Sequence, residues 1–233
     1  CQLDGYFIPT ADQIGEFEVA GIPSEQLLPF GIPVRQAFYQ KMPRQEAREK
    51  LGLEPDSVYV LLMCGSMGCG PIEKVAKDLV KALPENARVI AVCGSNDQLF
   101  ASMEKLQNSK LTVLGFTTNI HEYMDAVDLM ITKPGGLSST EGANKGLPMV
   151  FFNLIGACES RNFNYFLSKE YALGSNVEAE VVDLAVMLSR DAPLREKMSL
   201  ALKAHFCTNS AREIVDFVAA EIEKRKQKVL VGV

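Results

Sequence analysis

The sequence lacks the residues that several function classes require. It has only two histidines, and none of its six cysteines forms a Cys-x-x-Cys pair, so the usual ligands of a zinc site are missing. Its longest apolar run, residues 58–64, is far shorter than the roughly 20 residues that a membrane-spanning helix needs. These absences exclude a zinc enzyme and an integral membrane segment as interpretations of this chain.

Basic residues are also outnumbered by acidic ones. The chain has 24 Lys and Arg against 29 Asp and Glu, which gives a net charge of −5. An acidic protein is a poor general binder of nucleic acid or of anionic membrane, so no nucleic-acid partner is expected. The basic cluster at 224–228 is predicted to lie at the end of a helix, where solvation and the helix dipole explain it.

The residues that are present are typical of a globular protein. The hydrophobic fraction is 47% and the charged fraction 23%, and 233 residues correspond to one large domain or to one domain with an appendage. The chain opens at Cys1 without Met, within a strand-like run at 5–8, and carries no signal-peptide pattern. We therefore expect it to be cut from a longer protein. Cys64 and Cys93 end apolar runs and are predicted to be buried free thiols.

Short apolar runs alternate with segments of helical periodicity. The predicted strands are 58–64, 88–93, 110–114, 128–132 and 148–153, and the predicted helices between them are 71–83, 96–107, 119–126 and 138–146. After 153 only helices are predicted, at 159–170, 178–188, 193–205 and 211–227. Because strands and helices alternate and the strands are apolar throughout, we predict an α/β fold, a Rossmann-like parallel sheet with helices on both faces.

We select three strand-to-helix turns that contain glycine as candidate ligand-binding loops. The first, CGSMGCG at 64–70, lets backbone N–H groups converge on a ligand, and the following helix adds a partial positive charge, which together suit a phosphate. Its spacing is neither the dinucleotide GxGxxG pattern nor a Walker loop, and a turn without a ligand explains it equally well. The second, LGFTTN at 114–119, exposes Phe116 at the carboxyl edge of the sheet, where ligands bind; a half-buried loop aromatic is the alternative.

The third turn, TKPGGLSSTE at 132–141, has two competing interpretations. Ser138 and Glu141 have the spacing of a capping box, in which the carboxylate only satisfies a helix N–H group. Alternatively, Gly135, Gly136 and the first helical N–H groups hold a phosphate while Glu141 accepts hydrogen bonds from hydroxyl groups. A capping box does not need the glycine pair, so the pair favours a ligand.

The order and spacing of these motifs resemble a known family. GFTTN at 115–119, ITKPGGLSSTE at 131–141, KGLP at 145–148 and ESRN at 159–162 resemble the donor-binding half of glycosyltransferase family 28. The resemblance is greatest to the branch of monogalactosyldiacylglycerol synthases and processive diacylglycerol glucosyltransferases. GIP at 31–33, the loop at 65–70 and VCGSN at 92–96 also match. The block at 131–162 is specific, whereas the loop at 65–70 is not specific by itself.

The resemblance implies the C-terminal half of a GT-B enzyme, in which two Rossmann-like domains face each other across a cleft. Residues 1–57 would be the end of the N-terminal acceptor domain and the interdomain linker, 58–205 the nucleotide-sugar-binding domain, and 206–233 a C-terminal helix. The N-terminal domain would bind the lipid acceptor and touch the membrane surface. The whole protein would then be peripheral on the cytoplasmic face of the membrane.

The resemblance also implies which residues bind the UDP part of a UDP-sugar. Gly65, Ser66 and Gly68 would lie near the phosphates, Phe116 would line the uracil site, and Glu141 would take the ribose hydroxyls. Backbone N–H groups would bind the diphosphate from Gly135, Gly136, Leu137 and Ser138.

The sugar would be reached by two further residues. Relatives carry a Gln-Glu pair before the Arg-Asn of the last motif; here Cys158 takes the place of the Gln and Glu159 is kept. A thiol is a poor hydrogen-bonding substitute for an amide, so this departure bears on the identity of the sugar. Neither His121 nor His205 fits a general base, which in the family comes from the N-terminal domain. We therefore assign no catalytic residue to this chain and expect it to be inactive alone.

The expected reaction needs no metal and no cofactor beyond the donor substrate. Backbone N–H donors and a helix N-terminus can stabilise a leaving diphosphate, and the sequence has no Asp-x-Asp motif for a divalent ion. The expected function is inverting transfer of a hexose from UDP-galactose or UDP-glucose to a diacylglycerol-type lipid. Two alternatives stay open: a stand-alone donor-binding subunit that needs a separate membrane partner, and a related UDP-N-acetylglucosamine transferase or 2-epimerase.

Overall fold

The computed structural model describes residues 3–65, 67–68, 70–152, 156–206 and 208–231. The chain divides into two compact units, one formed by Cys1–Arg35 with Cys207–Val233 and the other by Gln36–Phe206. The assignment of 1–57, 58–205 and 206–233 to functional domains remains a prediction.

The first unit opens with two very short parallel strands, β1 (Tyr6–Phe7) and β2 (Leu27–Leu28). Between them lie a 3-10 turn (Ala11–Gln13) and helix α1 (Ile14–Val19). The strand in the strand-like run predicted at 5–8 is thus only two residues long, because Pro9 has no N–H group with which to continue the pairing.

The second unit is built on a six-stranded sheet. Its strands are β3 (Val58–Met63), β4 (Ala87–Val92), β5 (Leu111–Leu114), β6 (Leu129–Thr132), β7 (Met149–Phe151) and β8 (Ala172–Gly174). All neighbouring pairs are parallel and the order is β5-β4-β3-β6-β7-β8. This order, with its reversal between β3 and β6, is that of a Rossmann-like sheet, and the predicted fold class is confirmed.

Helices cover both faces of this sheet. They are α2 (Arg44–Leu51), α3 (Ile72–Ala82), α4 (Asp97–Glu104), α5 (Ile120–Ala126), α6 (Gly136–Lys145), α7 (Ala157–Ser168), α8 (Glu178–Arg190) and α9 (Ala192–His205). Apolar residues of α3 and α8 pack on one face with Val60 and Leu62. On the other face Gly142 of α6 lies against the side chains of Met130 and Met149. Burial on both faces explains why the strands are apolar throughout.

One strand of the six-stranded sheet was missed by the sequence analysis. Only helices were predicted after 153, whereas β8 pairs with β7 at the edge of the sheet. The prediction was wrong because Ala172–Gly174 is three residues long, too short for any periodicity to be visible, and ends in glycine.

The last helix, α10 (Ser210–Val231), returns to the first unit. There the ring of Phe217 meets the rings of Phe7 and Phe30 edge to face, each at a centroid distance of 5.8 Å. No helix in the part of the chain that the structure describes is long and apolar enough to cross a bilayer.

Candidate functional site

The strand order places a crevice where β3 and β6 lie side by side. In an open parallel sheet the connections from two such strands leave in opposite directions, and ligands bind outside their carboxyl ends. The loops at this point follow Met63 and Thr132 and contain the first and third glycine turns. The topology thus brings together two segments that the sequence analysis selected independently.

The loop after β3 contains one glycine that packing requires. Gly68 has a positive φ of 55°, and a side chain there would overlap the carbonyl oxygen of Cys93, in the loop after β4. The Asn96 side chain, which caps α4 by accepting a hydrogen bond from the Leu99 N–H group, also lies 3.4 Å from the Gly68 carbonyl oxygen through its Nδ2. The two loops therefore support each other. Ser66, expected near the phosphates, lies outside the described residues.

The turn after β6 starts a helix without a side-chain cap. The N-cap of α6 is Gly135, the helix begins at Gly136, and the first helical hydrogen bond runs from the Ser139 N–H group to Gly135. The N–H groups of Gly136, Leu137 and Ser138 therefore have no acceptor within the helix. The predicted capping box is wrong, because the helix begins two residues earlier than expected and Ser138 lies inside its first turn.

Three apolar side chains are exposed at this edge of the sheet. Met67, Phe116 and Leu137 stand 66%, 68% and 60% exposed, in the loops after β3 and β5 and at the start of α6. Exposed apolar residues next to glycine turns are what a planar ligand such as a nucleotide base would cover. Glu141, further along α6, is half-buried.

The start of α7 is fastened to the turn after β6 at two points. Glu159 forms an ion pair with Lys133, with 2.9 Å between Oε1 and Nζ, and its side chain is only 12% exposed. One turn later, the Asn162 side chain donates a hydrogen bond to the Pro134 carbonyl oxygen at 2.9 Å. Cys158, beside Glu159, is exposed as a free thiol. The structure therefore brings Glu159 to the third glycine turn, as a site at this edge requires.

Sequence reasoning missed Lys133 and Asn162 as residues of this site. Both belong to motifs that carried the family resemblance, but their types and spacing revealed no role. The Lys133 stem lies between the two glycine turns: its Cε is 3.8 Å and 3.7 Å from the points where side chains at Gly65 and Gly135 would begin.

The cysteines that end the apolar strands and the two histidines are packed against other residues of the fold. Burial raises the pKa of the Cys93 thiol to about 11, so it is not a nucleophile, and the prediction that Cys64 and Cys93 are buried free thiols is confirmed. His121 packs edge to face against Phe38, and the Nε2 atom of His205 lies 3.0 Å from the hydroxyl group of Tyr165. Within the described ranges no group of three His, Cys, Asp or Glu residues could hold a metal ion.

Comparison with known proteins shows which families and folds this chain is similar to. Residues 59–165 match the glycosyltransferase family 28 C-terminal domain. The processive diacylglycerol beta-glucosyltransferase of Bacillus subtilis is 31% identical over 98% of this chain. The match covers 61% of that relative, so the chain spans less than two thirds of its length.

Solved structures share the fold. WaaG, a glycosyltransferase involved in lipopolysaccharide biosynthesis, superposes with a TM-score of 0.63 at 18% identity, covering 87% of this chain and 58% of its own. Anabaena HepE in complex with UDP-glucose superposes with a TM-score of 0.57 at 15% identity, covering 93% and 64%. These structures show the fold alone, whereas the family match, together with the motifs that resemble it, shows that residues 59–165 of this chain belong to the glycosyltransferase family 28 C-terminal domain family.

Proposed function

We propose that this chain binds the UDP part of a UDP-sugar where the loops after β3 and β6 meet. The observation that carries the proposal is the uncapped start of α6 at this point, with the N–H groups of Gly136, Leu137 and Ser138 open to an anion beside a glycine loop. A diphosphate suits such N–H groups because a helix N-terminus favours negative charge. The family match and the UDP-glucose complex of a fold neighbour support this assignment.

Each site residue has a role in this proposal. Gly65 and Gly68 let the loop after β3 approach the phosphates, Phe116 lies along the uracil, and Glu141 accepts hydrogen bonds from the ribose hydroxyls. Cys158 and Glu159, at the start of α7, face the sugar.

The whole protein, of which the chain would be the donor half, would transfer the hexose to a diacylglycerol-type lipid with inversion at the anomeric carbon. The name of the Bacillus subtilis relative supports a lipid acceptor of this class. The acceptor-binding part would supply the general base and meet the cytoplasmic face of the membrane. The leaving diphosphate would be stabilised by N–H groups and the α6 N-terminus, without a metal ion.

Isothermal titration calorimetry with UDP tests the binding site directly. We expect UDP to bind the folded chain. No binding at millimolar UDP, in a sample whose circular dichroism shows the folded state, would contradict the proposal.

Replacement of Glu141 tests the ribose contact. We expect Glu141→Ala to weaken UDP binding by about 1–3 kcal/mol, the usual loss for a hydrogen bond to a charged group. The control is Glu196→Ala, which removes an exposed carboxylate from α9 and should leave the affinity unchanged. Equal affinities for the wild type and Glu141→Ala would remove this residue from the site.

The same titration distinguishes the donor sugars. Tighter binding of UDP-glucose or UDP-galactose than of UDP-N-acetylglucosamine would favour the diacylglycerol branch, and the reverse order would favour the transferase or epimerase alternative. With vesicles containing diacylglycerol we expect no glycolipid from the chain alone. A product formed by the chain alone would contradict its assignment as the donor half.

A further inference from the structure

Lys133 is placed where the proposed diphosphate would lie. It follows β6 directly, and its stem lies between the glycine turns at Gly65 and Gly135. Its side chain is 28% exposed, so its ammonium group is close to the surface of the crevice and not enclosed in the core.

Lys133 is the one basic residue in the segments that follow the first four strands of the six-stranded sheet. The segments after β3, β4, β5 and β6, residues 64–71, 93–96, 115–119 and 133–135, contain a single basic residue in the sequence, Lys133. Neutral N–H groups alone would have to offset a diphosphate that carries two or more negative charges. A lysine ammonium is a strong phosphate ligand because it adds a full charge to the hydrogen bond.

The partner of Lys133 is itself a residue of the proposed sugar site. Its Nζ atom lies 2.9 Å from Oε1 of Glu159, whose side chain is 12% exposed. The ammonium group takes one acceptor site at Oε1 and screens the negative charge of the carboxylate, so a sugar hydroxyl forms a weaker hydrogen bond with it. If the ammonium group turned towards a diphosphate, Glu159 would be released to accept from a hydroxyl group. Lysine can make this change because its charge sits on a flexible four-carbon stem.

We propose that Lys133 is a binding residue that exchanges partners, pairing with Glu159 in the free chain and with the diphosphate in the complex. This inference rests on the proposed UDP-sugar site and adds a residue and a coupling to it. Occupation of the diphosphate position frees Glu159, so the two halves of the donor are recognised in a linked manner. When UDP binds without a sugar, Lys133 moves to the diphosphate and no hydroxyl group takes its place beside Glu159. A UDP-sugar supplies the diphosphate for Lys133 and a hydroxyl group for Glu159.

Four proteins test the exchange: the wild type, Lys133→Met, Glu159→Gln and the double variant. Methionine keeps the length and the apolar stem of lysine and removes the charge. Titration with UDP and with uridine measures the affinity for the nucleotide with and without its phosphates. Thermal melts followed by circular dichroism verify that each variant is folded.

We expect Lys133→Met to lower UDP affinity by roughly tenfold to a hundredfold and to change uridine affinity less than about twofold. Glu159→Gln removes the competing carboxylate, so it should raise UDP affinity by about threefold to tenfold when Lys133 is present and have no such effect in the Lys133→Met background. Lys197→Met, which breaks an exposed ion pair with Glu170, is the matched control and should change neither affinity.

Several outcomes would overturn the inference. An unchanged UDP affinity in Lys133→Met would show that another group, such as Arg161 of α7, holds the diphosphate. Equal losses for UDP and uridine would reduce Lys133 to a structural role. A Glu159→Gln effect that is the same with and without Lys133 would rule out the exchange. UDP binding by the wild type with any of these results would leave the proposed function standing, whereas absence of binding by the wild type would remove both.

Discussion

At the scale of single residues, Gly68 is constrained by both its conformation and its surroundings. Its φ of 55° lies in the left-handed region, and the carbonyl oxygen of Cys93 occupies the space that a side chain would need. Gly52, at the end of α2, has a similar φ of 66°, with nothing within 4 Å of where its side chain would begin. A side chain at Gly52 would suffer conformational strain alone, whereas a side chain at Gly68 would suffer both this strain and a steric overlap.

Replacing each by alanine should give different results. We expect Gly52→Ala to lower the free energy of unfolding by about 1–2 kcal/mol, the cost of a left-handed residue with a side chain. Gly68→Ala should lose more, because the loop must also move away from Cys93, and its UDP affinity should fall. Urea denaturation and UDP titration measure both effects. Equal losses of stability, with UDP binding unchanged in both variants, would show that the loop after β3 is not held as described.

The residues of the site differ in how far the sequence could predict them. Glycine turns after apolar runs are local patterns, so Gly65, Gly135 and their neighbours could be selected without a structure. The pair Lys133 and Glu159 depends on how the turn after β6 and the start of α7 approach each other, which no local spacing encodes. The capping-box interpretation was wrong although its local spacing was right. Ser138 and Glu141 are three residues apart, but Gly135 takes the N-cap position.

At the scale of elements, α2 is attached to the sheet through one carboxylate. Asp128, just before β6, accepts hydrogen bonds from Arg44 at 3.0 Å, from Arg48 at 2.8 Å and from the Tyr59 N–H group at 2.8 Å. Arg48 also donates to the Ala126 carbonyl oxygen at 2.9 Å. The side chain of Arg48 is 6% exposed and that of Arg44 is 53% exposed, so the same acceptor is held by a buried and an exposed arginine.

Removing the buried arginine should lower the free energy of unfolding more than removing the exposed one. Arg48→Met leaves Asp128 buried without its inner partner, and we expect a loss of about 3–5 kcal/mol of folding free energy. Arg44→Met removes an exposed partner and should cost about 0–1 kcal/mol. Urea denaturation of the two variants against the wild type gives both values. A similar cost for both would mean that burial does not set the strength of this attachment.

A second buried pair joins α5 and α6. Lys145 is 1% exposed and lies 2.6 Å from Asp125, which is 6% exposed. Burial raises the pKa of the Asp125 carboxyl above its ordinary value, and the bond to Lys145 partly offsets this. A carboxyl with a raised pKa in the folded state makes stability fall as the pH rises from its ordinary pKa to its folded pKa.

We predict that Lys145→Met makes this pH dependence steeper. Without the ammonium group the pKa of Asp125 rises further, so the window in which stability falls extends upward. The loss relative to the wild type should reach about 3–5 kcal/mol near pH 8 and shrink as the pH falls and Asp125 becomes protonated. Urea denaturation at several pH values measures it, and adding Asp125→Asn should abolish the dependence. A loss that is constant across pH would contradict the argument.

The elements themselves were largely predictable. β3 to β7 are apolar runs between glycine and helical segments, and burial on both faces makes that pattern visible in the sequence. β8 has three residues at a sheet edge, and its place is set by pairing with β7, a contact that no local pattern announces.

At the scale of the whole molecule, the proposed ligand belongs to one of two compact units. The loops after β3 and β6 and the start of α7 all lie within Gln36–Phe206. Cys1–Arg35 and Cys207–Val233 form the other unit and contain β1, β2 and α10. A ligand stabilises what it binds, by about 2.7 kcal/mol at a hundred times its dissociation constant.

Hydrogen exchange should therefore report UDP binding unevenly. We expect saturating UDP to slow amide exchange in the loops after β3 and β6 and in the strands that carry them, and to leave β1 and β2 unchanged. Mass spectrometry of peptides from both units, with and without UDP, makes the comparison. Uniform slowing in both units, or none in the loops, would contradict the placement of the ligand.

The two ends of β6 have different consequences for the divergence of this protein. Its amino end begins beside Asp128, where a buried ion pair and hydrogen bonds hold the fold, and its carboxyl end leads into the turn at Lys133, where the UDP-sugar is proposed to bind. Under the proposed function, substitutions in the turn at the carboxyl end act on donor recognition, whereas substitutions of Asp128 at the amino end act on stability. Cys158, exposed at the start of α7 beside Glu159, belongs to the proposed recognition side, so a change of sugar specificity there need not involve the attachment at Asp128.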